Sequence, residues 1–380
     1  MKIFVAGGGP AGLYAAYLIA KRRPDAEITL VEQNPADATF GFGVVFSDRA
    51  LEFLRGDDPE TFDLINPAME TWTDLTLVHR GERVTIDGIG FAAIGRLKLL
   101  NLLQERLSSV GVAPRYGEAM AAPPDLADYD LIIASDGANS LIRNQYSEAF
   151  GTTIAPLNNK FAWYGVAKEF PTLTQTFIDS AHGPFNAHHY RYAPGLSTFI
   201  VECAPQTWAR AGFDRMSEDE SRDACAALFA ETLDGLPLTA NRSLWRNFPR
   251  VANARWSHRN VVLVGDALRT AHFSIGSGTR LALEDVIALV GALEREKFDV
   301  PASLAAYEAA RRPIVEKLAA AAAASAAWYE DFGAHMKLAP WDFAFSYIQR
   351  SGRVDLERLR KIAPNFVAGY QRHADAKGAA

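Results

Sequence analysis

Cysteine is nearly absent: the 380 residues contain two, Cys203 and Cys225. Neither sits in a CxxC or metal-type spacing, and a chain this long needs no disulfide staples, so two inert thiols in a reduced, cytoplasmic protein are expected. No signal peptide is expected, because the apolar strand Lys2–Ala6 follows the first methionine directly. Long apolar runs are missing too. Leu318–Trp328 is mostly alanine, is interrupted by Ser325 and falls short of the ~20 residues of a bilayer span, so it reads as a packed helix with no membrane partner. Basic charge is scarce: 39 Lys and Arg against 45 Asp and Glu leave a net charge of -6, which gives no footprint for nucleic acid. His182, His188 and His189 lack carboxylate or cysteine company, so no metal site is expected. Repeats and low-complexity linkers are also lacking.

What is present is an ordinary globular composition, 49% apolar and 22% charged, sufficient for one large or two coupled domains. The chain opens on a βαβ pattern. Lys2–Ala6 reads as a strand buried on both faces, Ala11–Lys21 as a helix with Leu13, Ala16, Tyr17 and Ala20 at helical spacing, and Glu27–Glu32 as a second strand. Between strand and helix lies Gly7-Gly8-Gly9-Pro10-Ala11-Gly12, a GxGxxG. Gly7 permits the tight turn, Gly9 lets backbone approach a pyrophosphate, and Gly12 lets the helix pack close to the strand. The helix start at Pro10 and Ala11 offers oriented N–H groups to phosphates. Glu32, 20 residues after Gly12 and followed by Gln33, is placed to accept from ribose hydroxyls, which favours FAD or NAD over a 2′-phosphorylated cofactor.

Further along, Thr71–Asp87 reads as a hairpin around Arg80-Gly81-Glu82, and Arg96–Ser109 as an amphipathic helix carrying Leu97, Leu100, Leu103 and Leu107. Leu131–Ala134 is a short buried strand. Phe161–Ala167, His188–Tyr192 and Ser197–Glu202 read as strands of a sheet. Val261–Gly265 is again a buried strand, a helix runs from Thr279 to about Leu293, and the remainder is helical with a break at Ala339-Pro340. The expected class is α/β: a Rossmann-like FAD-binding domain assembled from 1–70, 88–155 and 256–300. A β-sheet substrate domain (71–87 and 156–255) is inserted in it, and a helical region (301–380) follows.

Two further segments carry chemistry. In Asn260–Leu283, NVVLVGDALRTAHFSIGSGTRLAL, a strand leads to Gly265-Asp266, then to a loop with Gly276 and Gly278, then to a helix start at Thr279-Arg280. These glycines let backbone pass close to a planar ring, and free N–H groups at the helix start can stabilise negative charge on it. Asp266 has a lesser alternative as a capping acid. In Asp130–Arg143, DLIIASDGANSLIR, Asp136 and Gly137 occupy a strand-turn-helix that Asp136 can cap.

With the GxGxxG, these segments resemble the para-hydroxybenzoate-hydroxylase-like flavoprotein monooxygenases. The resemblance implies FAD, with Asp266 on the ribityl chain, Gly276 to Arg280 near the flavin ring, and the segment matched at Asp136, Gly137, Ser140 and Arg143 serving both FAD and the nicotinamide donor. It implies that Arg96 contacts the cofactor. It also implies that NADH or NADPH is used transiently, which agrees with the lack of a second dinucleotide fingerprint. Gly41–Asp48 (GFGVVFSD, containing Gly43 and Val44), His272–Thr279 (HFSIGSGT) and the tail with Trp328, Tyr329-Glu330 and Phe343–Arg353 are similar to the branch that hydroxylates aromatic acyl-CoA thioesters, as salicylyl-CoA 5-hydroxylases do. That branch implies O₂ and an aryl-CoA as partners. It implies conversion of 2-hydroxybenzoyl-CoA to the 2,5-dihydroxybenzoyl thioester through a flavin C4a-hydroperoxide, with His272 as the favoured base ahead of His188 and His189. Arg191, Arg246, Arg250, Arg255 and Arg259 are cations that CoA phosphates could use. Where the family commonly continues Ala-Ala-His, this chain has Ala267-Leu268-Arg269, then His272-Phe273. No reductase-like segment follows the tail, so a coupled ring reduction is not expected. The alternatives are a VioD-like indole or free-phenol hydroxylase, which shares Gly43-Val44-Val45 and HFSIG, and a non-catalytic flavin-binding partner. The protein is expected to be a monomer or homodimer.

Overall fold

The computed structural model describes residues 1–47 and 51–378, so Asp48, which ends the GFGVVFSD segment, lies outside the described residues. The βαβ start forms as the pattern requires: strand Lys2–Ala6, helix Pro10–Arg22, strand Glu27–Glu32. Ten consecutive buried residues, Ala11 to Ala20, line a helix wedged between the sheet and two further helices. The six-stranded sheet runs in the spatial order Ser257–His258, Val261–Leu263, Leu131–Ala134, Lys2–Ala6, Glu27–Glu32, Arg115–Tyr116. All of its pairings are parallel except the outermost, Ser257–His258 with Val261–Leu263. Helices Arg96–Ser108 and Gly278–Arg295 close its core. On the first of these the buried residues are Leu99, Leu100, Leu102, Leu103 and Leu107, whereas Leu97, expected inside, is only half-buried and lines a cleft.

A second, eight-stranded sheet holds most of the middle of the chain. Its order is Leu238–Thr239, Thr152–Val166, Leu196–Cys203, Gly183–Ala193, Leu173–Ser180, Leu75–His79, Glu82–Ile86, and Arg246–Asn253 pairs with Thr152–Val166. The expected hairpin is present as Leu75–His79 with Glu82–Ile86, and it joins this sheet through a parallel pairing with Leu173–Ser180. Two differences from the sequence pattern stand out. The strand expected at Phe161–Ala167 is the second half of a 15-residue strand, whose register shifts between Pro156 and Lys160. Strand Leu173–Ser180 escapes the pattern because its first five residues, Leu173 to Phe177, are all buried, Thr174, Gln175 and Thr176 included, so no polar–apolar alternation marks it.

Both faces of the large sheet are covered. One packs on helices of residues 205–233. The other packs on Trp328 and Tyr329 of helix Val300–Glu330 and on Phe343 and Tyr347 of helix Pro340–Gln349, which opens at the expected break. A small antiparallel sheet of Gly43–Ser47, Phe91–Gly95 and Glu70–Trp72 bridges the two units. Among the described residues no helix is long and apolar enough to cross a membrane.

Candidate active site

Parallel strands bring their carboxyl ends to one edge, the place where open α/β sheets bind ligands. The sequence segments singled out above meet there. Gly7 has φ +93°, and a Cβ on it would lie 2.6 Å from Ser135 O; a Cβ on Gly12 would lie 1.9 Å from Gly7 O. Gly9 is different: its Cβ would meet nothing within 4 Å. Behind it the helix starting Pro10, Ala11, Gly12 has neither a side-chain cap nor an acid in its first turn, leaving its N–H groups open to an anion. Glu32 ends its strand beside this turn, Oε2 accepting from Gly8 N at 2.7 Å and Oε1 from Asn34 N at 2.9 Å, and Gln33 beyond it is exposed. Asp136 Oδ2 accepts from Leu141 N at 2.8 Å, so it does cap a helix, while its Oδ1 is buried without a partner. Fully buried Arg143 donates to Ala138 O at 2.7 Å and Ala267 O at 3.2 Å, clamping the Asp136 turn to the Asp266 turn.

Gly265 (φ +59°) turns the chain after Val261–Leu263 and presents Asp266 to a recess. Asp266 is reachable by solvent yet ringed by protein; burial raises its pKa, and Arg96 and Arg269 draw it back. Arg96 is half-buried; burial lowers its pKa and the nearby Asp266 carboxylate raises it. It is not the solvated surface charge that a helix-start arginine usually is. Arg96 also lines a cleft of about 500 Å³ with Phe42, Leu97, Lys98 and Tyr192. Gly43 is held in place by its neighbours: its N–H donates to Thr198 Oγ1 at 2.8 Å, its carbonyl accepts from Tyr190, and a Cβ would strike Tyr192. Val44 next to it is partly buried. Gly276 packs on Val45, whereas Gly278 faces open space. The helix starting Gly278, Thr279, Arg280 again has no side-chain cap and no acid in its first turn. The Arg280 side chain folds back onto Glu284 at 2.7 Å.

The departure at Ala267-Leu268-Arg269 has a structural reason. Arg269 forms a two-pronged pair with fully buried Asp285, at 2.7 and 3.0 Å, and Arg311 adds a third contact at 3.1 Å. Arg269 therefore ties this turn to helix Gly278–Arg295.

Beside this edge lies an aromatic cluster, the walls of a candidate ring chamber. His272 is buried between Phe248, Phe273 and Tyr329, and Phe161 packs on Phe273. Its Nδ1 lies 2.8 Å from Ser274 Oγ, which lies 2.8 Å from Ser325 Oγ, which accepts from Arg350 Nε at 3.1 Å. Ser274 N–H also donates to Nδ1, at 3.4 Å, so Nδ1 is the ring's acceptor. His272 therefore carries its proton on Nε2. The sequence makes His272 the favoured base; burial and Arg350 push its pKa down to about 3, so the imidazole is neutral. Arg350 also donates to Tyr347 O and Ser274 O, both at 2.9 Å, and stacks on Tyr347, but has no carboxylate partner among the described residues. Arg350 lies inside the tail segment noted above, but nothing in that segment distinguishes it from a surface charge.

The two strand histidines separate. His189 faces away, its Nε2 3.0 Å from Thr176 Oγ1 and its ring stacked on Phe199, as strand packing predicts. His188 faces the chamber, close to Phe273, and burial, Arg350 and His272 hold its pKa down at about 3. Of the arginines considered for phosphates, Arg191 is occupied by Glu70 and three backbone carbonyls. Arg255 is bonded to Ala149 O and Glu148 O, and Arg246 to Leu244 O and Arg242 O. Arg250 and Arg259 are exposed.

Open space beside Gly9 and Gly278, two uncapped helix starts and the orphaned Asp136 oxygen fit FAD. A cofactor edge of this kind beside a cluster of aromatic side chains fits a flavin-dependent oxygenase of aromatic rings. The chain belongs to the FAD-binding aromatic monooxygenases: the family described as FAD binding domain matches residues 126–322. It is 41% identical over 361 residues to a salicyloyl-CoA 5-hydroxylase of Streptomyces sp, covering 92% of this chain and 70% of that protein. It is 38% identical over 331 residues to a 3-hydroxy-4-methyl-anthranilyl-[aryl-carrier protein] 5-monooxygenase of Streptosporangium sibiricum, covering 87% and 89%. It is 35% identical over 361 residues to the protodeoxyviolaceinate monooxygenase of Chromobacterium violaceum, covering 92% and 94%. Among solved structures, PqsL of Pseudomonas aeruginosa shares the fold with TM-score 0.69 at 18% identity, over 92% of this chain and 99% of that one.

Proposed function

We propose that this enzyme hydroxylates an aromatic acyl-CoA, with 2-hydroxybenzoyl-CoA becoming the 2,5-dihydroxybenzoyl thioester. In this reaction one oxygen of O₂ enters the ring, the other leaves as water, and NAD(P)H supplies two electrons. The FAD would lie along the carboxyl edge. Its pyrophosphate would meet Gly9, Pro10, Ala11 and the helix start behind them, its ribose Glu32, and its ribityl chain Asp266 with Arg96. The amides of Gly278, Thr279 and Arg280 would lie at its ring. Bound FAD supplies the activation of O₂ that no side chain here can provide.

The observation that carries the substrate reading is the chamber's charge. Its walls are aromatic, its two histidines are neutral, and its one cation, Arg350, has only neutral partners. A neutral ring hydroxyl enters such a site without a counter-ion, and any negative charge that develops on its oxygen is favoured by Arg350, which raises electron density at the para carbon. His272 donates from Nε2 to an oxygen of the substrate, and Phe161, Phe248 and Phe273 exclude water. Relatives named for a CoA thioester and for an aryl-carrier-protein thioester support an acyl thioester over a free acid. The two unpaired thiols suit the cytoplasm.

An indole substrate is the second reading, kept open by the similarity to the protodeoxyviolaceinate monooxygenase. Substrate-stimulated NAD(P)H oxidation and product formation, measured across salicylyl-CoA, anthraniloyl-CoA, salicylate, phenol and indole, separate the two. The expected result is coupled turnover with salicylyl-CoA. Turnover with indole alone would replace the first reading by the second.

A further inference from the structure

One face of the large sheet, directly under the chamber, carries an unusual set of side chains. In the strand register Gln175 stands opposite His188, and Asn186 stands opposite Glu202. Opposed residues share a face, so all four project toward Phe273, Tyr329 and Arg350. Gln175 and Asn186 are 0% exposed, Glu202 2% and His188 3%. Both nitrogens of His188, both amide atoms of Gln175, Oδ1 of Asn186 and Oε2 of Glu202 lack a hydrogen-bond partner among the described residues. Buried polar groups are almost always paired, and each one left alone is costly, so six such atoms on one patch call for a partner.

The geometry of the proposed reaction says what that partner is. A hydroxyl that directs oxygen to its para carbon lies at the opposite end of the ring from the carbon attacked. With the attacked end toward the flavin edge, the hydroxyl end meets protein, and the sheet face is where the unpaired acceptors are. We infer that His188, flanked by Gln175, is the specificity-determining residue that accepts a hydrogen bond from the ring's directing hydroxyl. This rests on the aromatic-hydroxylase reading and names the subsite for its substituent. The patch supplies two amides, a neutral imidazole, and Glu202, whose burial raises its pKa to about 8, with Arg350 beside His188. A neutral imidazole nitrogen is an acceptor, which suits a hydroxyl that donates.

The test uses FAD-loaded wild type, His188→Phe and His188→Asn. Dissociation constants are read from the flavin absorbance change for two pairs that differ only in the hydroxyl: salicylyl-CoA with benzoyl-CoA, and salicylamide with benzamide. The wild type should prefer the hydroxylated member roughly 10- to 100-fold. His188→Phe should reduce that preference to within about twofold without weakening the unhydroxylated member, and His188→Asn should restore part of it. Because His188→Phe removes an unpaired polar group from a core, its melting temperature should not fall, whereas a structural histidine would lower it. If the amide pair alone behaves this way, the subsite stands and the thioester reading falls. Retained preference in His188→Phe, or no preference in either wild-type pair, overturns the inference.

Discussion

Gly9 and Gly12 lie three residues apart in one motif and do opposite things. A methyl group on Gly12 collides with Gly7 O, so Gly12→Ala should cost on the order of 3 kcal/mol or more, read as a lowered denaturation midpoint. A methyl group on Gly9 meets open space, and its backbone, at φ −73° and ψ 179°, is one that alanine adopts. Gly9→Ala should leave apoprotein stability unchanged and weaken FAD binding, measured by titration of the apoprotein. Glu202 makes a pH prediction. Burial and Glu330 raise its folded pKa to about 8 against the Asn159 hydrogen bond, so its contribution is complete below 4.5 and fades as pH rises through 8. His188 and His272, lowered to about 3, act in the other direction, losing their contribution as pH falls below 6.5. Melting temperature should therefore decline on both sides, and Glu202→Gln should flatten the alkaline side alone. The glycines and Glu32 were legible because backbone geometry restricts which residue can stand there. Gln175 was not, and His188 stood out only as one candidate base behind His272, since a polar residue in a strand shows its purpose only when the face it occupies is known.

At the scale of elements, the aromatic cluster is made by contacts between distant segments. Arg350 bonds Ser325 of the long helix, Ser274 of the loop and the carbonyl of Tyr347 in its own helix. Arg350→Met should lower kcat on the order of 10²-fold. It should also raise the NAD(P)H consumed per product formed, since the loop loses its anchor and the chamber its charge. Arg350→Lys, keeping charge but not the three-way geometry, should fall between. The helix starts at Pro10 and Gly278, the hairpin and the buried parallel strands were readable from periodicity and turn residues. Strand Leu173–Ser180 was not, because burial on both sides erases alternation. The role of Arg269 needed its partner Asp285 to be seen, 16 residues on.

At the scale of the molecule, two sheets share one working boundary. The parallel sheet supplies the edge where the dinucleotide fingerprint, the Asp136 turn and the Asp266 turn converge, and the larger sheet supplies the face that carries Gln175 and His188. The order of segments predicted this arrangement, since a chain that leaves a parallel sheet and returns to it at Val261 must carry the intervening strands as a separate layer. The chamber itself depended on which faces meet, and no local pattern records that. The central claim is oxygen transfer to an aromatic thioester at this boundary. Its most direct measurement is a single turnover of NAD(P)H-reduced, FAD-loaded protein with salicylyl-CoA under ¹⁸O₂, followed by mass spectrometry of the product. One ¹⁸O in a hydroxyl para to the original one is the predicted result. Reoxidation with hydrogen peroxide and unchanged salicylyl-CoA as the only products would contradict it.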